Sequence, residues 1–358
     1  MQYLRLLLLP FSLIYGVIIW LRNLLYDAGI FRSEKFSVPV ICIGNLVVGG
    51  AGKSPMAEYL IRLLKNESRL AVLSRGYGRK TKGFRLVKPD DSVANTGDEP
   101  LQFKRKFEDI TVAVAEKRVG GINCLKADHH VIILDDAFQH RAVKAGLSIL
   151  LFDYNHLSDF FFMLPAGNLR EPFANRKRAD ILMISKCPEH LSAIERAEIT
   201  KRVKPLPNQS LFFSYLDYGN LISLNTKEEK PLSVIANDTA VFLLTGIANP
   251  QPLLNKLEGY SKLITHHDYP DHHNFSTGNI TKLADEFNSS KSPKKLIITT
   301  EKDAQRLQSA ALMELLKDSS VYYLPISAKI HEPDEARFNT LIENYVAEHI
   351  QHNNIHQK

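Results

Sequence analysis

Short apolar runs alternate with longer amphipathic stretches along the chain after residue 36. Runs such as 38–43 and 131–134 are apolar at nearly every position, as expected for parallel strands buried on both faces. A stretch between them places Met56, Leu60 and Leu64 on one side, which is the spacing of an amphipathic helix. Further strands are predicted at 70–73, 111–115, 148–152 and 181–184. This alternation predicts a doubly wound α/β domain.

A second α/β block begins near residues 205–235, where Pro205, Pro207 and a charged turn at 227–230 interrupt the pattern. Its strands are predicted at 241–244, 296–300 and 321–324, with helices at 252–257 and 334–350. The 358 residues allow two domains of roughly 100–200 residues each. We therefore predict an N-terminal helix at 1–30, a larger core domain at 31–210 and a smaller C-terminal α/β domain at 211–358.

The N-terminus carries an uncharged apolar run, LLLLPFSLIYGVIIWL at 6–21, between Arg5 and Arg22. This run is shorter than the about 20 residues of a full membrane span, and Pro10 and Gly16 interrupt it. We favour a helix that lies in the membrane interface, because Trp20 and the flanking arginines suit the headgroup boundary. A buried core helix and a true span remain open. A signal peptide is disfavoured, because no small-residue cleavage site follows.

Composition narrows the function classes only moderately. Hydrophobic residues make up 44% and charged residues 23%, which excludes disorder, collagen and coiled coil as the main architecture. The balance of 45 basic and 39 acidic residues gives +6, which favours an anionic partner such as a phosphate, nucleic acid or acidic lipid. Cys42, Cys124 and Cys187 form no CxxC pair, so we expect a reducing compartment and no disulfide framework.

The clearest chemical signal is GNLVVGGAGKSP at 44–55, a glycine-rich turn between a predicted strand and a predicted helix. Such a loop wraps backbone N–H groups around phosphate oxygens. Lys53 would reach the β- and γ-phosphates, and the Ser54 hydroxyl would bind Mg²⁺. Val47 stands where the strict pattern has glycine. The predicted nucleotide-binding residues are Gly49, Gly50, Ala51, Gly52, Lys53 and Ser54.

A second element supports nucleotide binding. VIILDDAFQH at 131–140 is an apolar strand that ends in two carboxylates, Asp135 and Asp136. A carboxylate at the end of a strand beside a phosphate loop holds Mg²⁺ in many nucleotide-binding proteins. The sequence does not decide which of the two contacts the metal, and an aspartate that caps a following helix is the simpler alternative.

Polar clusters follow several other predicted strands, where ligands bind in open α/β sheets. SRGYGRK at 74–80 offers Arg75, Arg79 and Lys80 around Tyr77, either to grip a phosphate or as a solvated turn. TGDEP at 96–100 contains Asp98, a candidate base, and LPAGNLREP at 164–172 presents Arg170 and Glu171. HHDYPDHH at 266–273 allows a metal site, an acid–base pair or a solvated loop. TTEKD at 299–303 ends another strand.

Together and in this order, these segments resemble the tetraacyldisaccharide 4'-kinases of lipid A biosynthesis. The apolar N-terminal segment also resembles that family's membrane-associating helix. The chain departs from the family pattern at Val47, Ala137 and Asn168, none of which is a predicted catalytic residue. The matching segments are GNLVVGGAGKSP, SRGYGRK, GDEP, VIILDDAFQH, LPAGNLREP, LTGIANP at 244–250, DHH at 271–273 and TTEKDAQRL at 299–307.

The resemblance implies a P-loop NTPase-like α/β/α domain, a second, smaller α/β domain and ATP held between them. It implies transfer of the γ-phosphate of ATP, with Mg²⁺, to the 4'-hydroxyl of a lipid-linked disaccharide 1-phosphate at the cytoplasmic face of the bacterial inner membrane. No nucleic acid and no obligate protein partner are implied. The implied metal-binding residues are Ser54, Asp135, Asp136 and Glu171, and the implied substrate-binding residues are Arg75, Tyr77 and Arg170.

The resemblance also implies that Asp98 and His272 form the acid–base pair, with Lys53 on the phosphates. We place Asp98 in the first domain and His272 in the second, and therefore predict that domain closure assembles the pair.

Three alternatives remain. A GTP-dependent switch is disfavoured, because SKCP at 185–188 has proline where a guanine-binding motif has aspartate. A metal-dependent hydrolase built on His266–His273 leaves the phosphate loop unexplained. A purely structural membrane-associated protein leaves both the loop and the carboxylates without a role.

Overall fold

The computed structural model describes residues 5–157 and 162–355, and the chain divides into two compact units. Unit 1 comprises the described residues up to Thr96, Phe103–Leu216 and those from Ala328 onward. Unit 2 comprises Gly97–Gln102 and Asp217–Ser327. The first four residues of the predicted N-terminal helix and the last three of the predicted C-terminal domain lie outside the described residues.

A nine-stranded sheet forms the centre of unit 1, in the order β15-β8-β7-β6-β1-β5-β2-β4-β3. Neighbouring strands from β8 to β4 pair in parallel, and β3 is antiparallel to β4. The central strands are buried along their whole length, which explains their nearly continuous apolar sequences. The strands are β1 (Val40–Asn45), β2 (Leu70–Ser74), β3 (Arg85–Leu86), β4 (Thr111–Val114), β5 (Val131–Leu134), β6 (Leu147–Asp153), β7 (Ile181–Ser185), β8 (Ser210–Tyr218) and β15 (Ile326–Ile330).

Helices accompany this sheet in the βα order that the sequence predicts. The predicted helix at 56–65 runs from Lys53 to Leu64, and buries Met56, Leu60 and Leu64. The other helices of unit 1 are Leu9–Asp27, Val93–Thr96, Arg118–Leu125, Ala193–Val203 and Asp334–Ile355, and the helix Asp98–Lys106 begins in unit 2 and ends in unit 1. Short 3₁₀ turns cover Leu6–Leu8, Tyr154–His156 and Phe173–Arg178.

The N-terminal helix Leu9–Asp27 is apolar toward solvent and polar toward the protein. Its only buried residues are Ser12 and Asn23, whereas Leu13 and Val17 are largely exposed. Together with the preceding 3₁₀ turn it is the one helix among the described residues that is long and apolar enough to cross a membrane. A buried core helix would show the opposite pattern, so that alternative does not fit.

Unit 2 contains a six-stranded sheet in the order β10-β9-β14-β13-β11-β12. Strands β12, β11, β13 and β14 are parallel, and β9 and β10 form an antiparallel edge. The strands are β9 (Leu221–Ser223), β10 (Glu229–Lys230), β11 (Ala240–Thr245), β12 (Ile264–Asp268), β13 (Lys295–Thr300) and β14 (Val321–Leu324). The helices are Gln251–Glu258, Thr277–Ser289, Glu301–Arg306 and Ala310–Leu315, with a 3₁₀ turn at Leu232–Val234.

The two units differ from the predicted segments 31–210 and 211–358 in two places. The chain from residue 328 returns to unit 1, because β15 joins the nine-stranded sheet and Phe338 packs edge-on against Phe212. The short segment 97–102 belongs to unit 2, because Asp98 and Gln102 bond to side chains of that unit. Neither return is visible in the sequence pattern, since both depend on contacts between distant residues.

Candidate active site

The glycine-rich segment forms a loop between β1 and the helix Lys53–Leu64. Gly49 and Gly52 adopt φ angles of +111° and +77°, which residues with a side chain rarely adopt. The Ser185 hydroxyl, at the end of β7, donates a hydrogen bond of 2.8 Å to the Ala51 carbonyl and fixes the loop. Gly44 allows the turn after β5 to approach β1 closely, since a Cβ at Gly44 would lie 2.5 Å from Phe138 Cβ. The glycine-rich loop therefore lies where the sequence predicts it, and Gly44, Gly49 and Gly52 occupy positions that require glycine.

The helix that follows begins without a side-chain cap: Gly52 occupies the N-cap position and no side chain of the described residues bonds there. The N-terminus of a helix carries partial positive charge and unpaired N–H groups, so this end can accept an anion. Lys53 Nζ lies 3.4 Å from Asn45 Oδ1 and 3.8 Å from Asp136 Oδ1. Ser54 follows in the first helical turn, as an Mg²⁺-binding hydroxyl requires.

Asp135 and Asp136 follow β5 but occupy different environments. Asp135 is buried and accepts a hydrogen bond of 3.3 Å from the Ser74 hydroxyl. Asp136 adopts a φ of +47°, which turns its carboxylate toward Lys53 and toward Arg170, whose Nη1 lies 3.3 Å away. The strained backbone at Asp136 fits a functional rather than a packing role.

The loop with Arg170 and Glu171 contacts the phosphate loop directly. Arg170 donates to Asn45 Oδ1 at 2.9 Å and to the Val47 carbonyl at 3.1 Å. Val47, which departs from the family pattern, therefore contributes through its backbone. Glu171 is buried, and its Oε2 pairs with Arg178 and accepts 2.7 Å from Asn175. The structure thus brings Lys53, Asp136 and Arg170 together, whereas it holds Glu171 in an ion pair of its own.

The donor set fits Mg²⁺ that is bound mainly through phosphate. Among residues 5–157 and 162–355, no group of three or more His, Cys, Asp or Glu side chains is placed to hold a metal ion. Mg²⁺ often uses only one or two carboxylates, with waters and substrate phosphates as its other ligands. Buried Oδ1 of Asp136 and Oε1 of Glu171 accept no hydrogen bond from the described residues, so each retains a lone pair that a cation can use.

In the segment after β2, Arg75 and Tyr77 are exposed, whereas Arg79 bonds to other residues of the protein. The Tyr77 ring is exposed, whereas Arg79 donates to Glu116 and to the Gly83 carbonyl, each at 2.6 Å. Arg79 is therefore a structural residue here, not a free phosphate ligand.

Sequence reasoning missed Arg118 and His140. Arg118 is buried and donates to the Asp135 carbonyl at 3.4 Å, and burial lowers the pKa of Arg118 to about 10 despite the opposing charge of Asp135. Burial and the nearby charges of Arg118, Arg22 and Arg75 lower the pKa of His140 to about 4, so His140 is neutral at pH 7. The only signal for Arg118 was its position after a predicted strand.

In unit 2, Asp98 and His272 form a hydrogen-bonded pair. His272 Nδ1 lies 3.0 Å from Asp98 Oδ2, and the Glu99 N–H donates to Asp98 Oδ1 at 3.0 Å. Burial opposes ionisation of Asp98, but the hydrogen bond from His272 and the charges of Lys302 and Arg306 outweigh it. These partners hold the pKa of Asp98 well below its usual range, so Asp98 is a carboxylate at neutral pH.

The location of this pair corrects the expectation that domain closure assembles it. Residues 97–102 are part of unit 2, so Asp98 and His272 are already paired within one unit. His272 adopts a φ of +59°, and its N–H bonds to the Gly246 carbonyl at 3.0 Å, which fixes the position of the imidazole.

The histidine-rich segment 266–273 is not one cluster. His266 and His267 lie on successive positions of β12 and contact Thr245 and Glu286 respectively. His273 stacks on Tyr269 and bonds to Asn279, whereas His272 alone reaches Asp98. The segment therefore does not form the metal site on which a hydrolase would depend.

Fold and site together define a P-loop NTPase-like phosphotransferase. The sequence profile of the tetraacyldisaccharide-1-P 4'-kinases matches residues 4–347. Proteins named tetraacyldisaccharide 4'-kinase from Bacteroides thetaiotaomicron and Flavobacterium johnsoniae are 44% and 42% identical to the chain; each match covers 98% of the chain, and 96% and 100% of those proteins respectively. The chain belongs to this kinase family.

A solved structure agrees with this assignment. The crystal structure of LpxK from Aquifex aeolicus in complex with ATP is 31% identical to the chain and superposes with a TM-score of 0.73. The match covers 96% of this chain and 99% of that one. The predicted family, fold class and kinase activity are thus confirmed, and neither the GTP-dependent switch nor the metal-dependent hydrolase is favoured.

Proposed function

We propose that this protein transfers the γ-phosphate of ATP to the 4'-hydroxyl of a tetraacyldisaccharide 1-phosphate in lipid A biosynthesis. The observation that carries the proposal is the ordered phosphate loop, with Lys53 beside Asp136, in a chain that belongs to this kinase family. Phosphoryl transfer depends above all on positioning and charge neutralisation. Lys53, Arg170 and the uncapped helix N-terminus supply positive charge for both.

The substrate hydroxyl needs a proton acceptor before its oxygen can attack. In our proposal the 4'-oxygen forms a bond to the γ-phosphorus, the bond from that phosphorus to the β,γ-bridging oxygen breaks, and ADP leaves. The hydroxyl proton passes to His272 Nε2, and the ionised Asp98 stabilises the imidazolium that forms. The imidazole is about a third exposed and is therefore open to a substrate.

Mg²⁺ fits a site near Ser54 and Asp136, with Asp135 and Glu171 as further candidate ligands. A bound Mg²⁺ would neutralise charge that develops on the β- and γ-phosphates. Arg170 organises the site with or without the metal, because it links Asp136 to Asn45 of the phosphate loop and so holds these groups in one place.

Arg75 and Tyr77 are proposed to contact the disaccharide 1-phosphate. Arg75 provides a positive charge near the buried Arg118, and an exposed tyrosine ring is suited to stack against a sugar. These contacts place the acceptor by its polar head and leave its acyl chains outside the protein.

The N-terminal helix is proposed to lie in the membrane interface at the cytoplasmic face. Its polar side is bonded to unit 1 along its length, through the Ser12, Tyr15 and Arg22 side chains. A helix held in this way cannot leave the unit to cross a bilayer, whereas its exposed apolar side can enter the headgroup region. The soluble co-substrate ATP is available on the cytoplasmic side.

The direct test is incubation of the full chain with Mg²⁺ and a lipid A disaccharide 1-phosphate in detergent, followed by mass spectrometry. We expect a product heavier by one phosphate with ATP, and much less product with GTP. A lack of product under these conditions would refute the proposed activity, and a clear preference for GTP would favour the switch alternative.

A further inference from the structure

The TTEKDAQRL segment at 299–307 places two basic residues, Lys302 and Arg306, beside Asp98. Thr300 ends β13 and caps the helix Glu301–Arg306, since its hydroxyl accepts from the Asp303 N–H at 3.0 Å and donates to Asp303 Oδ2 at 2.7 Å. This short helix carries Lys302, Asp303 and Arg306.

Arg306 is fixed by four contacts and is almost fully buried. Its Nη1 donates to the Gly246 carbonyl at 2.8 Å and to Asp303 Oδ1 at 2.7 Å. Its Nη2 bonds to Asp98 Oδ2 and lies 3.3 Å from His272 Nδ1. The guanidinium therefore bridges two buried carboxylates, one of which belongs to the acid–base pair.

Asp303 holds the other end of this bridge and is completely buried. Its second oxygen, Oδ2, accepts from the Gly246 N–H at 3.1 Å. Gly246 thus contacts Asp303 with its N–H, and Arg306 and the His272 N–H with its carbonyl. Gly246 therefore holds both the backbone of His272 and the guanidinium of Arg306 in place.

The contacts also assign the tautomer of His272. The ionised Asp98 can only accept and lies 3.0 Å from Nδ1, nearer than the Arg306 guanidinium at 3.3 Å, which can only donate, so the shorter contact favours the proton on Nδ1. Lys302 Nζ lies 3.4 Å from Nε2, and an ammonium group can only donate, so Nε2 holds the lone pair. Although burial disfavours its charge, Glu99, Asp98 and Asp271 raise the pKa of Lys302, which therefore stays protonated and cannot be the base.

We propose that Arg306, held by Asp303, is a positioning residue that fixes Asp98 as the acceptor for His272 and so directs the His272 Nε2 lone pair toward the substrate hydroxyl. This inference rests on the proposed function, because it concerns the same acid–base pair. A buried Arg–Asp bridge that served stability alone would not change how activity depends on pH.

The pH profile separates the two roles. The titratable and charged groups that face Asp98 are His272, Lys302 and Arg306, with Glu99 beside it in the chain and Asp303 and Asp271 around them. In Arg306→Gln the charge of Arg306 is lost while burial remains, so the pKa of Asp98 rises. Asp98 is then protonated at a higher pH than in wild type, so activity that needs ionised Asp98 is lost earlier as the pH falls, and we expect the acid limb of kcat to shift upward by about 1–3 pH units.

The experiment measures kcat and KM for ATP from pH 3.5 to 9 in wild type, Arg306→Gln and Arg306→Lys. We expect kcat of Arg306→Gln at pH 7.5 to fall about 100-fold, with KM for ATP changed less than about threefold. Arg306→Lys keeps the charge but cannot bridge two partners, so its acid limb stays near that of wild type while kcat recovers only in part. Asp303→Asn, which loosens the bridge, provides a milder variant if Arg306→Gln does not fold.

Arg85→Gln is the matched control, because it breaks another arginine–aspartate pair, with Asp91, in unit 1. Its pH profile should match that of wild type, and thermal unfolding is followed for every variant. If Arg306→Gln loses activity only in proportion to folded protein and keeps the wild-type acid limb, the positioning role is refuted. An inactive wild type would instead refute the proposed function itself, whereas a fully active His272→Ala would refute only the acid–base role of the pair.

Discussion

The phosphate loop of unit 1 and the Asp98 network of unit 2 use charge in opposite ways. Lys53, Asp136 and Arg170 are 13%, 35% and 25% exposed, and their mutual contacts are long, at 3.3 Å and 3.8 Å. Asp98, Asp303 and Arg306 are at most 3% exposed and are held by short hydrogen bonds. The first set is arranged to receive an anionic ligand, whereas the second is complete within the protein.

This difference indicates when the charged groups of each site become fixed, either on ligand binding or before it. The charges of an open site stabilise a phosphate most strongly once it has bound and displaced the surrounding water. A buried network has already lost its water, so its groups keep a fixed geometry and fixed charge states before the substrate arrives. Substitutions in the two sites should therefore fail in these two different ways.

Lys53→Ala should have the largest effect. Loss of the ammonium removes the charge that neutralises the transferred phosphate, so we expect kcat/KM to fall on the order of 10⁴-fold. Thermal unfolding should change little, because the Lys53 contacts are long and partly exposed. Steady-state kinetics and a melting curve of the same preparation test this prediction. Near-normal turnover would show that Lys53 has no role in the mechanism.

His272→Ala should act on chemistry rather than on nucleotide binding. We expect kcat to fall on the order of 10³-fold, while the Kd for ATP, measured by calorimetry, changes less than about threefold. If turnover is unchanged, the acid–base role of the pair is wrong. If ATP binding falls in parallel with turnover, His272 belongs to the nucleotide site instead.

Asp136→Asn should weaken the binding of Mg²⁺ more than it slows phosphoryl transfer at saturating Mg²⁺. The partly exposed carboxylate beside Lys53 becomes neutral, so we expect the Mg²⁺ concentration for half-maximal activity to rise about 10–100-fold, with activity partly restored at high Mg²⁺. Asp91→Asn is the comparison, since it removes a carboxylate outside this site that pairs with Arg85 and accepts from the Lys88 N–H. An unchanged Mg²⁺ titration in Asp136→Asn would exclude Asp136 as a ligand.

The smallest effect concerns the apolar face of the N-terminal helix. Leu13→Ser with Val17→Ser should weaken binding to phospholipid vesicles about tenfold or more, because two exposed apolar side chains no longer enter the interface. Activity on substrate in detergent should remain close to that of wild type. The matched control is Ile194→Ser, which removes an equally exposed apolar side chain from the helix Ala193–Val203; equal loss of vesicle binding in that control would contradict the prediction.

The sequence predicted what depends on neighbouring residues. The strand at 131–134 was predicted with its observed bounds, and the glycine loop was placed correctly between β1 and its helix. Continuous apolar runs and a loop that needs glycine are local signals. The sequence also paired Asp98 with His272, although only through the family resemblance.

What it missed depends on contacts between distant residues. Strand β8 mixes apolar and polar positions, and β15 is short, so neither gave a clear periodic signal. A solvated loop was one interpretation of the histidine segment 266–273, yet its first residues lie on the edge strand Ile264–Asp268. The return of residues 97–102 to unit 2 could not be foreseen, because the Arg306–Asp98 bond joins positions 208 residues apart.

The bonds between the N-terminal helix and the Arg170 loop have a practical consequence for protein production. Arg5 donates to the Asn168 side chain and the Gly167 carbonyl, and Tyr15 to the Arg170 carbonyl. A truncation designed to improve solubility would remove these partners together with the apolar surface. We expect the truncated protein to lose order next to Arg170, so serine substitutions on the outer face offer a better route to a detergent-free enzyme for inhibitor screening.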